Sequence, residues 1–273
     1  MSNIHETAIV DPSAKIDPSA EVGAYTIVGK DVKIGKNTWI GPHVTIGDRT
    51  TIGDGNKVFQ FASIGGPPQD MGYKGEPTQT IIGNNNTIRE YVTVNAGTEK
   101  GGGKTTIGSN NLLMAYVHVA HDCIVGDHVV LANCVTLAGH VEIENNAIVG
   151  GLTPIHQYCR IGSFAMVGGG SVVTMDIPPY VMAVGNRAHF YGLNLVGLRR
   201  NGFSREAIKE IKHSYNVLFR SQHAVKNGID ILKKELPDSE YAERFVKFIE
   251  VSNRGLARVK VKSKGGDSDG GED

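Results

Sequence analysis

The sequence predicts a mainly β protein, in which a parallel β-helix of six-residue repeats is followed by a C-terminal α-helical domain. Two observations support this fold class. A branched aliphatic residue recurs at every sixth position over most of the chain up to Val173, and apolar side chains spaced three or four apart begin only after Ser204. The repeat positions are Val10, Ile16, Val22, Val28, Ile34, Ile40, Ile46, Ile52, Val58, Ile64, then Ile82, Ile88, Val94, then Ile107, Leu113, Val119, Val125, Leu131, Leu137, Ile143, Val149, Ile155, Ile161, Val167 and Val173.

Each six-residue unit is expected to form one short strand and one turn. The residue two positions before each aliphatic is mostly small or β-branched, as at Ala20 and Thr26. Side chains two apart share one face of a strand, so both columns point into a common core. Glycine often follows the aliphatic, as in Val22-Gly23, and would permit a turn with positive φ. Three units make a triangular coil of ~18 residues, and stacked coils bury a continuous apolar core.

The repeat is interrupted twice before it stops near Asp176, and we place the β-helix over residues 1–186. The segments 65–79 and 96–104 fit no hexad, so we expect them to project as loops from the turns. Loops on a rigid scaffold commonly carry functional residues.

The remaining chain is expected to be helical over residues 187–259. Ser204 and Ser239 are plausible N-caps of two helices, with a shorter helix around 229–236 between them, and Gly255 is expected to close the last helix. The tail 260–273 is rich in Lys, Gly, Ser and Asp and is expected to be disordered.

Composition excludes several classes of function. Lys plus Arg and Asp plus Glu each number 28, so the net charge of zero gives no reason to expect nucleic acid or an anionic membrane surface as a partner. No stretch approaches the ~20 apolar residues of a transmembrane helix, and no signal peptide is visible. Three cysteines without a CxxC pair suggest reduced thiols, so we expect a cytoplasmic protein.

Four of the histidines cluster within three successive coils and point to general base catalysis. Residues one coil apart lie ~4.8 Å from each other in a β-helix. A histidine beside a carboxylate suits proton transfer near neutral pH, and a nearby glycine N–H suits an oxyanion hole. The histidines are His118, His121, His140 and His156; one predicted column holds His121, Gly139 and Gln157, and the next holds Asp122, His140 and Tyr158.

Other interpretations of these residues fit the sequence less well. Isolated histidines on a β-helix are usually only solvated, but four of them in one cluster argue against that. Zinc is disfavoured because two-histidine ligand sets on such β-helices are typically spaced H-x4-H, whereas His118 and His121 are separated by two residues. No serine or cysteine nucleophile is evident, since Cys123 and Cys159 occupy the small inward-facing column.

Over about residues 5–255, the chain resembles the bacterial UDP-N-acetylglucosamine O-acyltransferases, which perform the first step of lipid A biosynthesis. The matching segments occur in the same order as in that family. AHDC and GFSREAI are far more specific than the hexad repeat. The matching segments are QFASIG (60–65), QD (69–70), GEPT (75–78), NLLM (111–114), HVAHDC (118–123), LAGHV (137–141), HQ (156–157), PPYV (178–181) and GFSREAI (202–208).

The resemblance implies a left-handed β-helix and a homotrimer with active sites between subunits. The donor would be an (R)-3-hydroxyacyl group on the 4′-phosphopantetheine of acyl carrier protein. The acceptor would be the glucosamine 3-hydroxyl of UDP-N-acetylglucosamine, and neither a metal nor a separate cofactor is implied.

The resemblance also implies roles for individual residues. His121 corresponds to the general base, Asp122 to the acid that orients it and Gly139 to the oxyanion donor. Gly169 matches a position that limits acyl length, and glycine there suggests room for a longer chain. Residues matching the family's substrate-binding positions are Gln69, Asp70, His118, His140, His156 and Gln157 for the sugar and pantetheine, and Asn194 and Arg200 for the nucleotide and acyl chain.

Two alternatives remain open at this stage. Val196, Asn201, Gly72 and Asn95-Ala96 depart from residues that are frequent in the family. These departures leave open the nucleotide affinity and whether the acceptor's reacting group is a 3-hydroxyl or a 3-amino group. The second alternative is a non-catalytic β-helix that serves as a scaffold.

Overall fold

The structure is a computed structural model that describes residues 3–257, so the predicted disordered tail lies outside the described residues. Most of the chain forms a parallel β-helix whose strands are two to five residues long. The strands are β1 (Ile9–Val10), β2 (Lys15–Ile16), β3 (Glu21–Val22), β4 (Ile27–Val28), β5 (Lys33–Ile34), β6 (Trp39–Ile40), β7 (Thr45–Ile46), β8 (Thr50–Ile52), β9 (Lys57–Val58), β10 (Ser63–Gly66), β11 (Gln79–Ile82), β12 (Thr87–Ile88), β13 (Thr93–Asn95), β14 (Lys104–Ile107), β15 (Leu112–Leu113), β16 (His118–Val119), β17 (Ile124–Val125), β18 (Val130–Leu131), β19 (Thr136–Leu137), β20 (Glu142–Ile143), β21 (Ile148–Val149), β22 (Pro154–Ile155), β23 (Arg160–Ile161), β24 (Met166–Val167), β25 (Val181–Val184) and β26 (His189–Leu193).

Every third strand pairs, which produces three sheets around one core. Sheet 1 runs β1-β4-β7-β10-β13-β16-β19-β22, sheet 2 runs β2-β5-β8-β11-β14-β17-β20-β23, and sheet 3 contains β3 and every third strand up to β24, then β25 and β26. We call the turns corner 1 (sheet 1 to sheet 2), corner 2 (sheet 2 to sheet 3) and corner 3 (sheet 3 to the next sheet 1). Except where a loop is inserted, partner residues such as His118 and Thr136 are one coil apart, as the hexad arithmetic predicted.

The core consists of the two predicted columns. The repeat aliphatics from Val22 to Val173 are nearly fully buried, and the small inward column packs between them. Asn56, Asn86 and Asn111 occupy this second column and stack as a ladder inside the coil. The side chain of Asn86 donates to Asn56 Oδ1 at 2.9 Å and to Gly108 O at 2.9 Å, and its Oδ1 accepts from Asn111 N at 2.9 Å.

The turns correct one sequence prediction. Apart from Gly65 (φ 77°), the glycine after the aliphatic does not supply the positive φ. The residue two positions further on does, and it is usually not glycine, as at Tyr25 (φ 58°) and Asp122 (φ 60°). Glycine is needed at the first position because the next coil is too close. A Cβ on Gly23 would lie 2.6 Å from Gly41 C and Pro42 N.

Both interruptions of the repeat fall at corner 1. The first links β10 in sheet 1 to β11 in sheet 2 and spans residues 67–78, and the second links β13 to β14 and spans 96–103. The predicted limits, 65–79 and 96–104, therefore included a few strand residues. The two loops contact each other's bases, because Gly97 N donates to Gln79 O at 3.2 Å.

The helical region comprises α1 (Leu195–Arg200), α2 (Arg205–Phe219), α3 (Val225–Glu235) and α4 (Glu240–Glu250). Ser204 and Ser239 cap α2 and α4 as predicted, each accepting a hydrogen bond from the backbone three residues on. The hexad pattern missed β25, β26 and α1, and Gly255 was wrong as the helix terminator because α4 ends five residues earlier. No helix in residues 3–257 is long and apolar enough to cross a membrane.

We expect Asn86→Ala to lower the free energy of unfolding by about 1–3 kcal/mol, because it leaves buried partners in the ladder unsatisfied. Urea denaturation followed by circular dichroism measures the change. Asn227→Ala, an exposed position on α3, is the control and should stay within about 0.5 kcal/mol of the parent. Equal stability of the two variants would contradict a structural role for the ladder.

Candidate active site

Corner 1 brings His121 and Gly139 into direct contact. They occupy equivalent positions in adjacent coils, where His121 follows β16 and Gly139 follows β19. A Cβ added to Gly139 would lie 2.7 Å from His121 Nε2, so only glycine leaves room for the imidazole. Among residues 3–257 the Gly139 N–H has no protein acceptor, which leaves it available to a ligand. The column predicted from the repeat length is thus confirmed.

Asp122 is the best-anchored side chain at this corner, and its carboxylate has no exposed surface. Its Oδ2 accepts from His121 Nδ1 at 2.8 Å and from Thr98 Oγ1 at 2.6 Å, and its Oδ1 accepts from Thr98 N at 2.8 Å. The backbone N–H of Asp122 donates to Thr105 Oγ1 at 2.8 Å. Because a carboxylate only accepts, the proton of His121 lies on Nδ1 and its Nε2 presents a lone pair.

Two further imidazoles adjoin this pair. His140 stacks on Tyr158 with ring centroids 4.5 Å apart and meets the His121 ring edge-on, and its Nε2 is 3.8 Å from Asp122 Oδ2. Burial lowers the pKa of His140, although the negative charge of Asp122 acts to raise it. The pKa of His118 is also lowered, by burial and then by the neighbouring His121, and its Nδ1 is 2.7 Å from Thr93 Oγ1. Burial thus favours the neutral form of both rings.

The other residues predicted for the sugar and pantetheine lie on or next to corner 1 and are mostly exposed. His156 and Gln157 occupy the coil above Gly139, and His156 Nδ1 is 3.1 Å from Gln157 O. Gln69 and Asp70 belong to the loop 67–78, where Asp70 Oδ1 accepts from Gly72 N at 2.6 Å. All four side chains therefore lie at corner 1, His156 and Gln157 in the coil after Gly139 and Gln69 and Asp70 on the inserted loop.

Three predicted residues do not lie at corner 1. Gly169 is exposed at corner 3, after β24. Asn194 follows β26 and is buried; its Oδ1 accepts from Gly197 N at 3.0 Å and its Nδ2 donates to Phe164 O at 2.9 Å, so it caps α1. Arg200 is exposed at the end of α1. Within one chain these residues do not share a site with His121.

Sequence reasoning missed the residues that hold Asp122. Thr98 and Gly101 belong to the loop 96–103, and any Cβ on Gly101 would overlap the Asp122 carboxylate. The sequence did indicate that this loop lies near His121, because counting hexads places the interruption at the same corner, one coil earlier. The hydrogen bonds themselves depend on a loop that follows no repeat.

A metal centre is the competing interpretation of the cluster. Ligand atoms of His121, Asp122 and His140 lie within 4.8 Å of one another. However, both oxygens of Asp122 already accept hydrogen bonds, from His121 Nδ1 and from Thr98. A metal bound there would displace these donors, so the arrangement favours a hydrogen-bonded His–Asp pair.

An oriented imidazole with a free Nε2, placed against an unpaired backbone N–H on a hexapeptide β-helix, is suited to acyl transfer without a nucleophilic side chain. The fold and the site together define an acyltransferase of the hexapeptide-repeat class. Comparison with known proteins agrees. Residues 31–66 and 104–139 match the bacterial transferase hexapeptide repeats, and residues 176–257 match domain 2 of UDP-N-acetylglucosamine O-acyltransferase.

Full-length relatives identify the family. The chain is 51% identical over 262 residues to the acyl-[acyl-carrier-protein]–UDP-N-acetylglucosamine O-acyltransferase of Herminiimonas arsenicoxydans, covering 94% of this chain and all of that protein. The chain belongs to the UDP-N-acetylglucosamine O-acyltransferase family.

Solved structures agree with this assignment. LpxA from Acinetobacter baumannii superposes with a TM-score of 0.92 at 47% identity, over 94% of this chain and 100% of that one. The UDP-N-acetylglucosamine acyltransferase of Francisella novicida gives 0.91 at 43% identity, over 93% and 94%. The predicted left-handed parallel β-helix with a C-terminal helical region is confirmed.

The buried cysteines should be chemically inert in the native protein. Burial raises the pKa of Cys123 to about 12 and that of Cys159 to about 11, so both remain thiols at pH 8. We expect iodoacetamide at pH 8 to leave both unmodified in the folded chain and to alkylate all three cysteines in guanidinium, as judged by peptide mass spectrometry. Rapid native labelling of Cys123 would reopen the question of a cysteine nucleophile.

Proposed function

We propose that the protein transfers an (R)-3-hydroxyacyl group from acyl carrier protein to the glucosamine 3-hydroxyl of UDP-N-acetylglucosamine, the first step of lipid A biosynthesis. Family membership supports acyl carrier protein as the donor and UDP-N-acetylglucosamine as the acceptor, because the relatives' names specify these two substrates. The observation that carries the mechanism is the contact between His121 and Gly139, with the imidazole oriented by Asp122.

The proposed reaction is a single displacement. Nε2 of His121 removes the proton from the sugar hydroxyl as its oxygen attacks the thioester carbonyl. The Gly139 N–H donates to the developing oxyanion, and Asp122 stabilises the imidazolium through Nδ1. Collapse of the tetrahedral intermediate breaks the carbon–sulfur bond, and the proton on Nε2 passes to the departing thiolate, which restores neutral His121.

The proposed chemistry uses no covalent acyl-enzyme, metal or separate cofactor. Two features of the site support a direct transfer. The thiols of Cys123 and Cys159 are buried and protonated, and the carboxylate of Asp122 is committed to hydrogen bonds. The proposed location is the cytoplasm, which the three free cysteines favour.

The active form is proposed to be a homotrimer with each site shared by two copies. The predicted site residues are divided between corner 1, which has His121, and the sheet 3 and corner 3 side of the prism, which has Gly169 and Asn194. Corner 3 also carries an exposed aromatic stripe with ring centroids 4.9–5.4 Å apart, a feature typical of an interaction surface. The stripe consists of Tyr25, His43, Phe61, Tyr91 and Tyr116.

Purified protein incubated with UDP-N-acetylglucosamine and a panel of (R)-3-hydroxyacyl carrier proteins should yield a sugar nucleotide heavier by one hydroxyacyl group, detected by mass spectrometry. We expect His121→Ala to lower kcat by at least ~10²-fold, because it removes the general base. His128→Asn, at an exposed corner-2 histidine whose positive φ asparagine tolerates, should keep full activity.

Three outcomes would contradict the proposal in different ways. Near-normal turnover by His121→Ala would exclude the base. Product only with the 3-amino analogue of the sugar would change the acceptor, and no product with either acceptor would favour the scaffold alternative.

Subunit mixing tests the shared site. His121→Ala and Gly169→Trp should each abolish transfer of long acyl chains, the second by filling the proposed acyl path. Co-assembly of the two variants should restore activity at about one quarter of the sites, since each site draws its two corners at random from the two variants. Light scattering should give three times the 29.3 kDa of one chain. A monomer, or no restored activity, would contradict a shared site.

A further inference from the structure

We propose that Thr98 is a positioning residue for the acyl transfer, and that the loop 96–103 is inserted into the β-helix to hold Asp122 against His121. The inference rests on the proposed function, since it assigns the residue that prepares the proposed base. Nothing in the repeat requires this loop, because the next coil closes corner 1 with an uninterrupted turn between β16 and β17.

The contacts of Thr98 are directed at both oxygens of one carboxylate. Its backbone N–H donates to Asp122 Oδ1 at 2.8 Å, and its hydroxyl donates to Oδ2 at 2.6 Å. Oδ2 is also the oxygen that accepts from His121 Nδ1 at 2.8 Å. Thr98 therefore fixes the rotation of the carboxylate about its side-chain bonds, and with it the direction in which Oδ2 faces the imidazole.

The loop is built around this threonine. Thr98 is buried. Its backbone carbonyl accepts from Gly101 N at 3.1 Å and from Gly103 N at 2.8 Å. Gly101 N is also 3.1 Å from Thr98 Oγ1, so it occupies a lone pair of the hydroxyl and directs the hydroxyl proton toward Asp122. Gly101 must be glycine because a side chain would overlap the Asp122 carboxylate.

Burial makes the positioning necessary. A carboxylate with no exposed surface receives no hydrogen bonds from bulk water, so its orientation depends on protein donors. His140 Nε2, at 3.8 Å from Oδ2, is too distant to substitute for the hydroxyl. Without the Thr98 hydroxyl, Asp122 keeps the backbone donor on Oδ1 but loses the constraint on the oxygen that faces His121.

The kinetic test compares three variants. We expect Thr98→Val to lower kcat by about 10- to 100-fold, since misplacing a catalytic group by ~1 Å costs up to ~10²-fold. KM for UDP-N-acetylglucosamine should stay within about threefold, because the lost interaction does not touch substrate. Thr98→Ser restores the hydroxyl and should recover most of kcat.

Thr80→Val is the matched control, because Thr80 is a buried threonine whose hydroxyl has no hydrogen-bond partner among residues 3–257. It should leave kcat unchanged. Thermal unfolding of each variant separates a loss of positioning from a loss of folding.

A second readout does not depend on turnover. Solid-state ¹⁵N spectra of histidine-labelled protein, assigned by comparison with His121→Ala, should show His121 as the Nδ1–H tautomer in the parent and in Thr98→Ser. In Thr98→Val the Nε2–H tautomer should also be populated.

The inference is overturned if Thr98→Val keeps the parental tautomer and kcat, or if serine fails to restore them in a folded protein. An inactive parent with the predicted tautomer change would refute the proposed reaction while leaving the positioning role supported. An active parent whose Thr98→Val variant is unchanged would refute the positioning role alone.

Discussion

The parallel pairing of each strand with the strand one coil later is the constraint on which the site depends. The pairing places residues one coil apart directly above each other, so Gly139 lies against the ring of His121 although the two residues are a full coil apart in the sequence. The same stacking sets the identity of Gly139, because the spacing between coils leaves no room for a side chain at this position against the imidazole. A register error of one residue would turn the repeat aliphatics out of the core, so the stability of the core and the geometry of the site are maintained together.

The corner geometry adds a second constraint. Most corners have a left-handed backbone at the residue two positions before the next strand, and the chain accepts this cost at Asp122 (φ 60°) and His140 (φ 61°). In this conformation the side chain of Asp122 lies beneath the loop 96–103 and beside His121, rather than in the core. Strain that recurs at most corners of the fold is therefore used at this one to aim a functional group.

Much of this arrangement could be predicted because it follows from a repeat. The hexad spacing predicts the strands, and the length of one coil, which is three hexads, predicts that His121 lies under Gly139. The rest depends on interactions without a period. The positive φ falls on residues such as Tyr25 rather than on the glycines, since it is set by the turn and not by residue type. The antiparallel β26 and the contacts of Thr98 arise where the repeat has ended or is interrupted, and there spacing carries no information.

The electrostatics of the corner explain why so many polar groups converge on one carboxylate. Asp122 is removed from solvent, and a buried charge is tolerated only when hydrogen bonds replace its hydration. Burial lowers the pKa values of His118 and His140, which disfavours the charged forms that could compensate that charge. The donors that remain are His121 Nδ1 and the two groups of Thr98. When His121 accepts a proton at Nε2, the new positive charge forms beside a carboxylate that is already oriented and dry, where its stabilisation is greatest. The inserted loop 96–103 and the regular turn that carries His121 and Asp122 thus form one electrostatic arrangement.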